Sequence, residues 1–130
     1  PELKIHVWFE RDGGVFFGQG RYELLEHIAE LGSLKLAAEK MGISYRGAWG
    51  KIKATEEIMG EKLIVKDSNK EGYHLTEFGR KWMDEYKALY DDVLAFARKR
   101  KLELLSKIYL PLFLIGLNLS VMASSMIIVE

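Results

Sequence analysis

Short helical stretches that end at glycines dominate the first half of the chain. Within residues 21–60, three stretches with helical spacing of apolar residues end in turn at Gly32, Gly42 and Gly60. Glycine adopts the left-handed conformation that ends a helix without steric cost. Ser33 and Ser44 stand where the second and third stretches begin, and serine is a preferred N-cap. This order, with a third helix over Tyr45–Met59, predicts a helix-turn-helix. The second helix is expected to pack through Leu36, Ala37 and Met41.

Segments with strand patterns flank this unit on both sides. Apolar and polar residues alternate over residues 3–9, and the turn formers of residues 12–14 allow residues 15–17 to return as a second strand. After Gly60, two β-prone segments, residues 63–65 and 73–75, are separated by a polar loop. This second pair predicts the wing of a winged helix-turn-helix.

A long amphipathic helix is predicted to follow the wing. Thr76 begins a Thr-x-x-Gly segment, and the helical pattern continues to about Lys101. Six apolar residues recur at spacings of three and four: Phe78, Trp82, Tyr86, Leu89, Val93 and Phe96. The expected fold is therefore mainly α with a small β wing, in which a β-hairpin precedes the winged helix-turn-helix and a long helix follows it.

The third helix has two chemically different sectors, given about 3.6 residues per turn. The inward sector comprises Tyr45, Ala48, Trp49, Ile52, Thr55 and Met59. The outward sector comprises Arg46, Gly47, Gly50, Lys51, Lys53 and Ala54. Each interior glycine costs roughly 1 kcal/mol relative to alanine, and close approach of the helix to DNA would offset that cost. The alternative is a solvated face whose glycines avoid a clash within the protein.

The candidate DNA contacts extend beyond this sector. Side-chain hydroxyls and helix N-terminal amides can hold phosphates, and lysines near the helix-turn-helix can reach the backbone of the duplex. The candidates are Ser33, Lys35, Ser44, Tyr45, Arg46, Gly47, Gly50, Lys51, Lys53 and Lys70. In the wing, Lys66 and His74 are further candidates for contacts to the backbone or the minor groove.

Charge and composition favour a binding function and argue against an enzyme or a metal-binding protein. Lys plus Arg and Asp plus Glu each number 19, but the stretch from Ser33 to Lys53 carries five basic residues against one acid. The chain has no cysteine, and its three histidines lack the spacing of a metal site. No phosphate-cradling glycine loop occurs either. We therefore expect a cytoplasmic protein that is not an enzyme, with no cofactor and no metal.

Several strings of residues resemble one family. Gly42-Ile43-Ser44-Tyr45-Arg46-x-Ala48-Trp49 is followed by Leu63-Ile64-Val65 and by Leu75-Thr76-Glu77-Phe78-Gly79-Arg80. With Gly32-Ser33 and Ala37-Ala38, these strings resemble the N-terminal domain of the molybdate-dependent regulators called ModE, within the broader LysR-like winged helix-turn-helix group. The resemblance covers roughly Leu3 to Arg100.

The resemblance implies a sequence-specific DNA-binding transcription regulator that acts as a homodimer. The long helix would join the dimer through Phe78, Trp82, Tyr86, Leu89, Val93 and Phe96. In the alternative, these side chains pack only within their own chain. The molybdate-binding modules of that family are too long for the residues that follow Arg100, so no molybdate site is expected in this chain.

The last segment leaves several alternatives open. Tyr109–Val129 carries no formal charge over 21 residues and follows the cations of Arg98–Lys101. We expect a DNA-binding domain with its long helix over residues 1–105, and an apolar tail over 106–130 that packs in the dimer, with Ser120–Val129 able to form a strand. The alternatives for the tail are a membrane helix and disorder. The alternative function is a winged-helix module that binds another protein.

Overall fold

The computed structural model describes residues 1–68 and 72–129, and it describes side chains as far as residue 116. The elements in chain order are β1 (Trp8–Arg11), β2 (Gly14–Gly18), α1 (Gln19–Leu31), α2 (Leu34–Met41), α3 (Tyr45–Met59), β3 (Ile64–Lys66), β4 (Tyr73–Leu75) and α4 (Glu77–Val129). Ile5–Asp91 forms one compact unit, and residues 1–4 with the residues from Asp92 onward form another. The winged helix-turn-helix with a preceding hairpin and a following long helix is confirmed.

The helix ends lie where serines and glycines predicted them. Ser33 Oγ accepts a hydrogen bond from Leu36 N–H at 3.1 Å, and Ser44 Oγ accepts one from Gly47 N–H at 2.9 Å. The three terminating glycines all have a positive φ: Gly32 (66°), Gly42 (70°) and Gly60 (76°). The turn between α2 and α3 is therefore fixed by the chain's own capping groups.

The first hairpin begins later than the alternation predicted. β2 has only five residues before the chain enters α1, and Gly18 pairs with Trp8. Residues 3–7 therefore have no strand to pair with. The turn uses a positive φ at Asp12 (51°) and Gly13 (81°), as residues tolerant of that conformation predicted.

The wing is attached at its base to the end of α1. β3 and β4 pair antiparallel, and Asp67 N–H donates to Gly72 O at 2.9 Å across the loop. Tyr73 N–H donates to Gly32 O at 3.0 Å. A Cβ on Gly72 would lie 2.5 Å from Gly32 O, so only glycine permits this approach.

The Thr-x-x-Gly segment joins α4 to the wing. Thr76 Oγ1 accepts from Gly79 N–H at 2.9 Å, which caps the helix, and donates to Lys62 O at 2.6 Å. A Cβ on Gly79 would lie 2.2 Å from Leu63 O. The glycine therefore lets the first turn of α4 pack directly against the backbone that leads into β3.

Aromatic side chains join α4 to the hairpin within the Ile5–Asp91 unit. The ring of Phe17 lies 5.0 Å from that of Trp82 and 5.4 Å from that of Tyr86. Tyr86 is 2% exposed, and its hydroxyl donates to Val7 O at 2.7 Å. This placement corrects the expectation that Tyr86 faces a dimer partner, because a buried side chain offers almost no surface to one.

The fourth helix is longer than predicted. It continues past Lys101 to Val129 and contains Pro111, so the division expected after residue 105 falls within the helix. The backbone of Ser120–Val129 is helical, which corrects the expectation of a strand there. Among the residues described, none belongs to a helix both long and apolar enough to cross a membrane. The side chains of the uncharged tail beyond residue 116 lie outside the described part.

Candidate nucleic-acid interface

The outward sector of α3 is largely open to solvent. Arg46, Gly50, Lys51 and Ala54 are exposed, and Gly47 and Lys53 are half-buried. The two glycines differ in their surroundings. A Cβ on Gly47 would lie 3.0 Å from Ser44 Oγ, whereas a Cβ on Gly50 would meet nothing within 4 Å. Packing against the described residues therefore gives no reason for glycine at position 50.

Two polar residues fix the inward side of α3. Thr55 is fully buried, and its hydroxyl donates to Phe16 O at 2.6 Å and accepts from Arg21 Nε at 3.1 Å. The Glu56 side chain is 8% exposed, and its carboxylate accepts from the amides of Leu63 (2.7 Å) and Ile64 (3.3 Å). Glu56 thus joins α3 to the first strand of the wing.

The sequence pattern did not single out Glu56, although the spacing of this residue places it on the inward side of α3. It lies four residues after Ile52 and three before Met59, which is an inward position on a helix. Glutamate is rarely buried in a folded protein, so hydrophobicity alone does not mark this position. The carboxylate also accepts from Lys53 Nζ at 3.0 Å, so a residue expected to reach a phosphate is already partnered within the chain.

Two predicted inward residues of α3 are exposed instead. Trp49 is 43% exposed and Tyr45 is 47% exposed, because Glu56 and Thr55 occupy the inward arc. Lys53 Nζ lies 5.4 Å from the centroid of the Trp49 ring. The neighbouring hydroxyl of Tyr73 in the wing raises the pKa of the Tyr45 hydroxyl above its ordinary value.

The remaining DNA-contact candidates surround this helix. Lys35 of α2 and Lys66 of β3 are exposed, Ser44 is exposed and Ser33 is half-buried. Each serine oxygen accepts a capping hydrogen bond, which leaves its O–H available to donate. Lys70 lies in residues 69–71, outside the described part of the chain.

One candidate of the wing has a partner within the chain, and one expectation on α2 is wrong. His74 is exposed, and its Nδ1 is paired with Asp67 Oδ1. On α2, Leu36 is 47% exposed rather than inward, because Leu34, Ala37 and Ala38 fill the core side of that short helix.

The apolar residues that recur along α4 are partly buried near its start and exposed further along. Phe78 and Trp82 are half-buried against the core of their own chain. Leu89, Val93 and Phe96 are 39%, 36% and 66% exposed. Within the described residues, no group of three or more histidine, aspartate or glutamate side chains is arranged to hold a metal ion.

These elements together form a winged helix-turn-helix domain. Residues 20–80 match the family described as "Bacterial regulatory helix-turn-helix protein, lysR family". That stretch of the chain is therefore similar to the LysR-type helix-turn-helix domains. The fold superposes on the crystal structure of the CbnR DBD–DNA complex with a TM-score of 0.54 at 17% identity, over 65% of this chain and 94% of that one. It superposes on the BenM DBD bound to benA site 1 DNA with a TM-score of 0.52 at 21% identity, over 63% and 93%.

The chain is also similar in sequence to curated proteins named ModE. The chain is 32% identical over 83 residues to the "Molybdenum transport protein ModE" of Azotobacter vinelandii, which covers 62% of this chain and 31% of that protein. It is 30% identical over 95 residues to the "DNA-binding transcriptional dual regulator ModE" of Escherichia coli (strain K12), which covers 71% and 34%. The chain spans about a third of the length of these relatives.

Proposed function

We propose that this chain is a sequence-specific DNA-binding module of a transcription regulator, with α3 lying in the major groove. The exposed outward sector of α3 carries this proposal, since it combines Arg46 and Lys51 with a glycine, Gly50, that no contact among the described residues requires. A side chain as small as that of Gly50 lets the helix backbone approach the bases. The cations on either side supply phosphate contacts and hydrogen bonds to guanine.

The neighbouring elements support the same docking. The N-termini of α2 and α3 carry Ser33 and Ser44, whose hydroxyls and nearby amides suit phosphate oxygens. The wing is fixed to both α1 and α3, so Lys66 is held beside the helix that would enter the groove. The DNA complexes of CbnR and BenM, which share this fold, support the proposal by analogy.

DNA binding is tested by fluorescence anisotropy with a labelled duplex of random sequence at low and at moderate salt. We expect affinity to fall steeply as salt rises, because the cations that the protein brings displace counterions from the phosphates. Arg46→Ala and Lys51→Ala should each weaken binding about tenfold, whereas Lys87→Ala, a control on α4, should change it less than about twofold. Absence of binding at low salt, or equal losses in all three variants, would support the protein-binding alternative.

We further propose that two copies of the chain pair through the exposed part of α4. The supporting observation is that Leu89, Val93 and Phe96 continue the spacing of the core residues Phe78 and Trp82 but are open to solvent. A second copy would cover them and would place two recognition helices on one duplex.

Dimerisation is tested by sedimentation velocity on a pair of matched variants. Phe96 and Leu102 are almost equally exposed, at 66% and 67%, but only Phe96 belongs to the stripe. Phe96→Glu should weaken self-association by about 2 kcal/mol, since it places a charge in an apolar contact, and Leu102→Glu should have little effect. A wild-type monomer, or equal effects of the two substitutions, would contradict the proposed interface.

A further inference from the structure

Trp49 is a large apolar side chain held at a fixed position on the surface of α3. It is 43% exposed, yet the ammonium of Lys53 lies 5.4 Å from its ring centroid. Lys53 is in turn bound to the buried carboxylate of Glu56 at 3.0 Å. The indole is therefore positioned by a partner that is itself anchored to the core.

The helical spacing places this indole beside the sector proposed to enter DNA. Arg46, Gly50 and Ala54 form one ridge along α3, since they are four residues apart. Tyr45, Trp49 and Lys53 form the adjacent ridge. When the glycine ridge faces the floor of the major groove, the Trp49 ridge faces one wall.

The wall of the major groove offers one apolar group to such a side chain. The exposed base edges are hydrogen-bond donors and acceptors, except for the C5-methyl group of thymine. That methyl group projects near the sugar-phosphate backbone of its own strand. An indole on the ridge beside the glycine sector matches this pattern, because its apolar ring can cover the methyl group while Lys53 stays bound to Glu56.

We propose that Trp49 contacts the C5-methyl group of thymine at the edge of the major groove and so sets a preference for thymine at that position of the binding site. The proposal rests on the DNA-binding function proposed above. It assigns a specificity role to one residue, and Arg46 and Lys51 keep the binding of phosphates and guanine.

The test compares duplexes that differ only in the methyl group. Anisotropy is measured with an alternating dA–dT duplex and with the same duplex carrying deoxyuridine in place of thymidine. The wild type should bind the thymidine duplex about threefold more tightly, the effect of burying one methyl group. Trp49→Ala should reduce that ratio to about one. Trp8→Ala removes another exposed indole, on β1, and should leave the ratio unchanged.

A second pair of duplexes separates the methyl group from other effects of base composition. An alternating dG–dC duplex with 5-methylcytosine carries a methyl group at the same place in the groove, and the wild type should bind it about threefold more tightly than the unmethylated duplex. Equal affinities within both pairs would overturn the role of Trp49. A methyl preference that survives Trp49→Ala would overturn it as well. Loss of all salt-sensitive DNA binding in the wild type would instead overturn the underlying function.

Discussion

Replacing Gly79 with alanine is expected to lower the free energy of unfolding by about 3 kcal/mol. The added Cβ would lie 2.2 Å from Leu63 O and 3.0 Å from its carbonyl carbon. Both are backbone atoms, so relief requires α4 to move away from the wing. That movement would also stretch the 2.9 Å hydrogen bond from Thr76 N–H to the same oxygen. Urea unfolding followed by tryptophan fluorescence and far-UV circular dichroism measures the change.

Gly50→Ala is the matched control, with an effect of opposite sign. Its Cβ meets no atom within 4 Å, so the variant gains helix propensity and should be more stable by about 1 kcal/mol. The same methyl group should weaken DNA binding, because it keeps the helix further from the bases. A shift of both alanine variants in the same direction would show that close packing at Gly79 does not govern stability.

Replacing Glu56 with alanine is expected to cost about 3 kcal/mol of stability. The substitution removes the acceptor for the backbone amides of Leu63 and Ile64, two residues that are 0% and 2% exposed. It also leaves Lys53 without its carboxylate partner. Unsatisfied buried amides and a broken, largely buried ion pair each cost on the order of 1 to 3 kcal/mol. Thermal and urea unfolding would measure this loss.

Two variants separate the roles of the Glu56 carboxylate. Glu56→Gln keeps an oxygen that accepts from Leu63 N–H and should cost only about 1 kcal/mol. Glu57→Ala removes an exposed carboxylate from the next position of the same helix and should be nearly neutral. The anchoring role of Glu56 fails if Glu56→Ala is no more destabilising than Glu57→Ala.

The helix-turn-helix could be predicted from sequence because its boundaries depend on local groups. Ser33 and Ser44 bond to amides three residues further along the chain, and glycine at 32 and 42 supplies a conformation that other residues disfavour. Such contacts join residues that are close in sequence, so they can be predicted without knowing the tertiary structure. The order of elements and their spacing therefore followed directly from the pattern.

The burial errors on α3 have a tertiary cause. A prediction from hydrophobicity puts Trp49 inside the protein and Glu56 outside it. The backbone amides at the start of the wing need an acceptor, however, and the buried Glu56 carboxylate supplies it. Which side chain faces those amides depends on how residues 61–64 return to the helix. Periodicity alone does not contain that information.

The length of α4 was underestimated for a different reason. Pro111 and Gly116 lie in the part of α4 beyond its predicted end at about Lys101. A proline within a helix removes one backbone hydrogen bond, and leucine, isoleucine and lysine around it favour helix. The helix continues through it.

The hydrogen bond between Asp67 and Gly72 marks the point beyond which the wing can change in length without disturbing the strands. It closes the β3–β4 ladder below the tip of the wing, so residues inserted between these two positions would add length beyond the ladder without shifting the register of Ile64 with Leu75. Lengthening a surface loop costs little closure entropy. If α3 docks on DNA as proposed, insertions and deletions there would change how far the wing reaches along the duplex, while α3 and its anchors keep their positions.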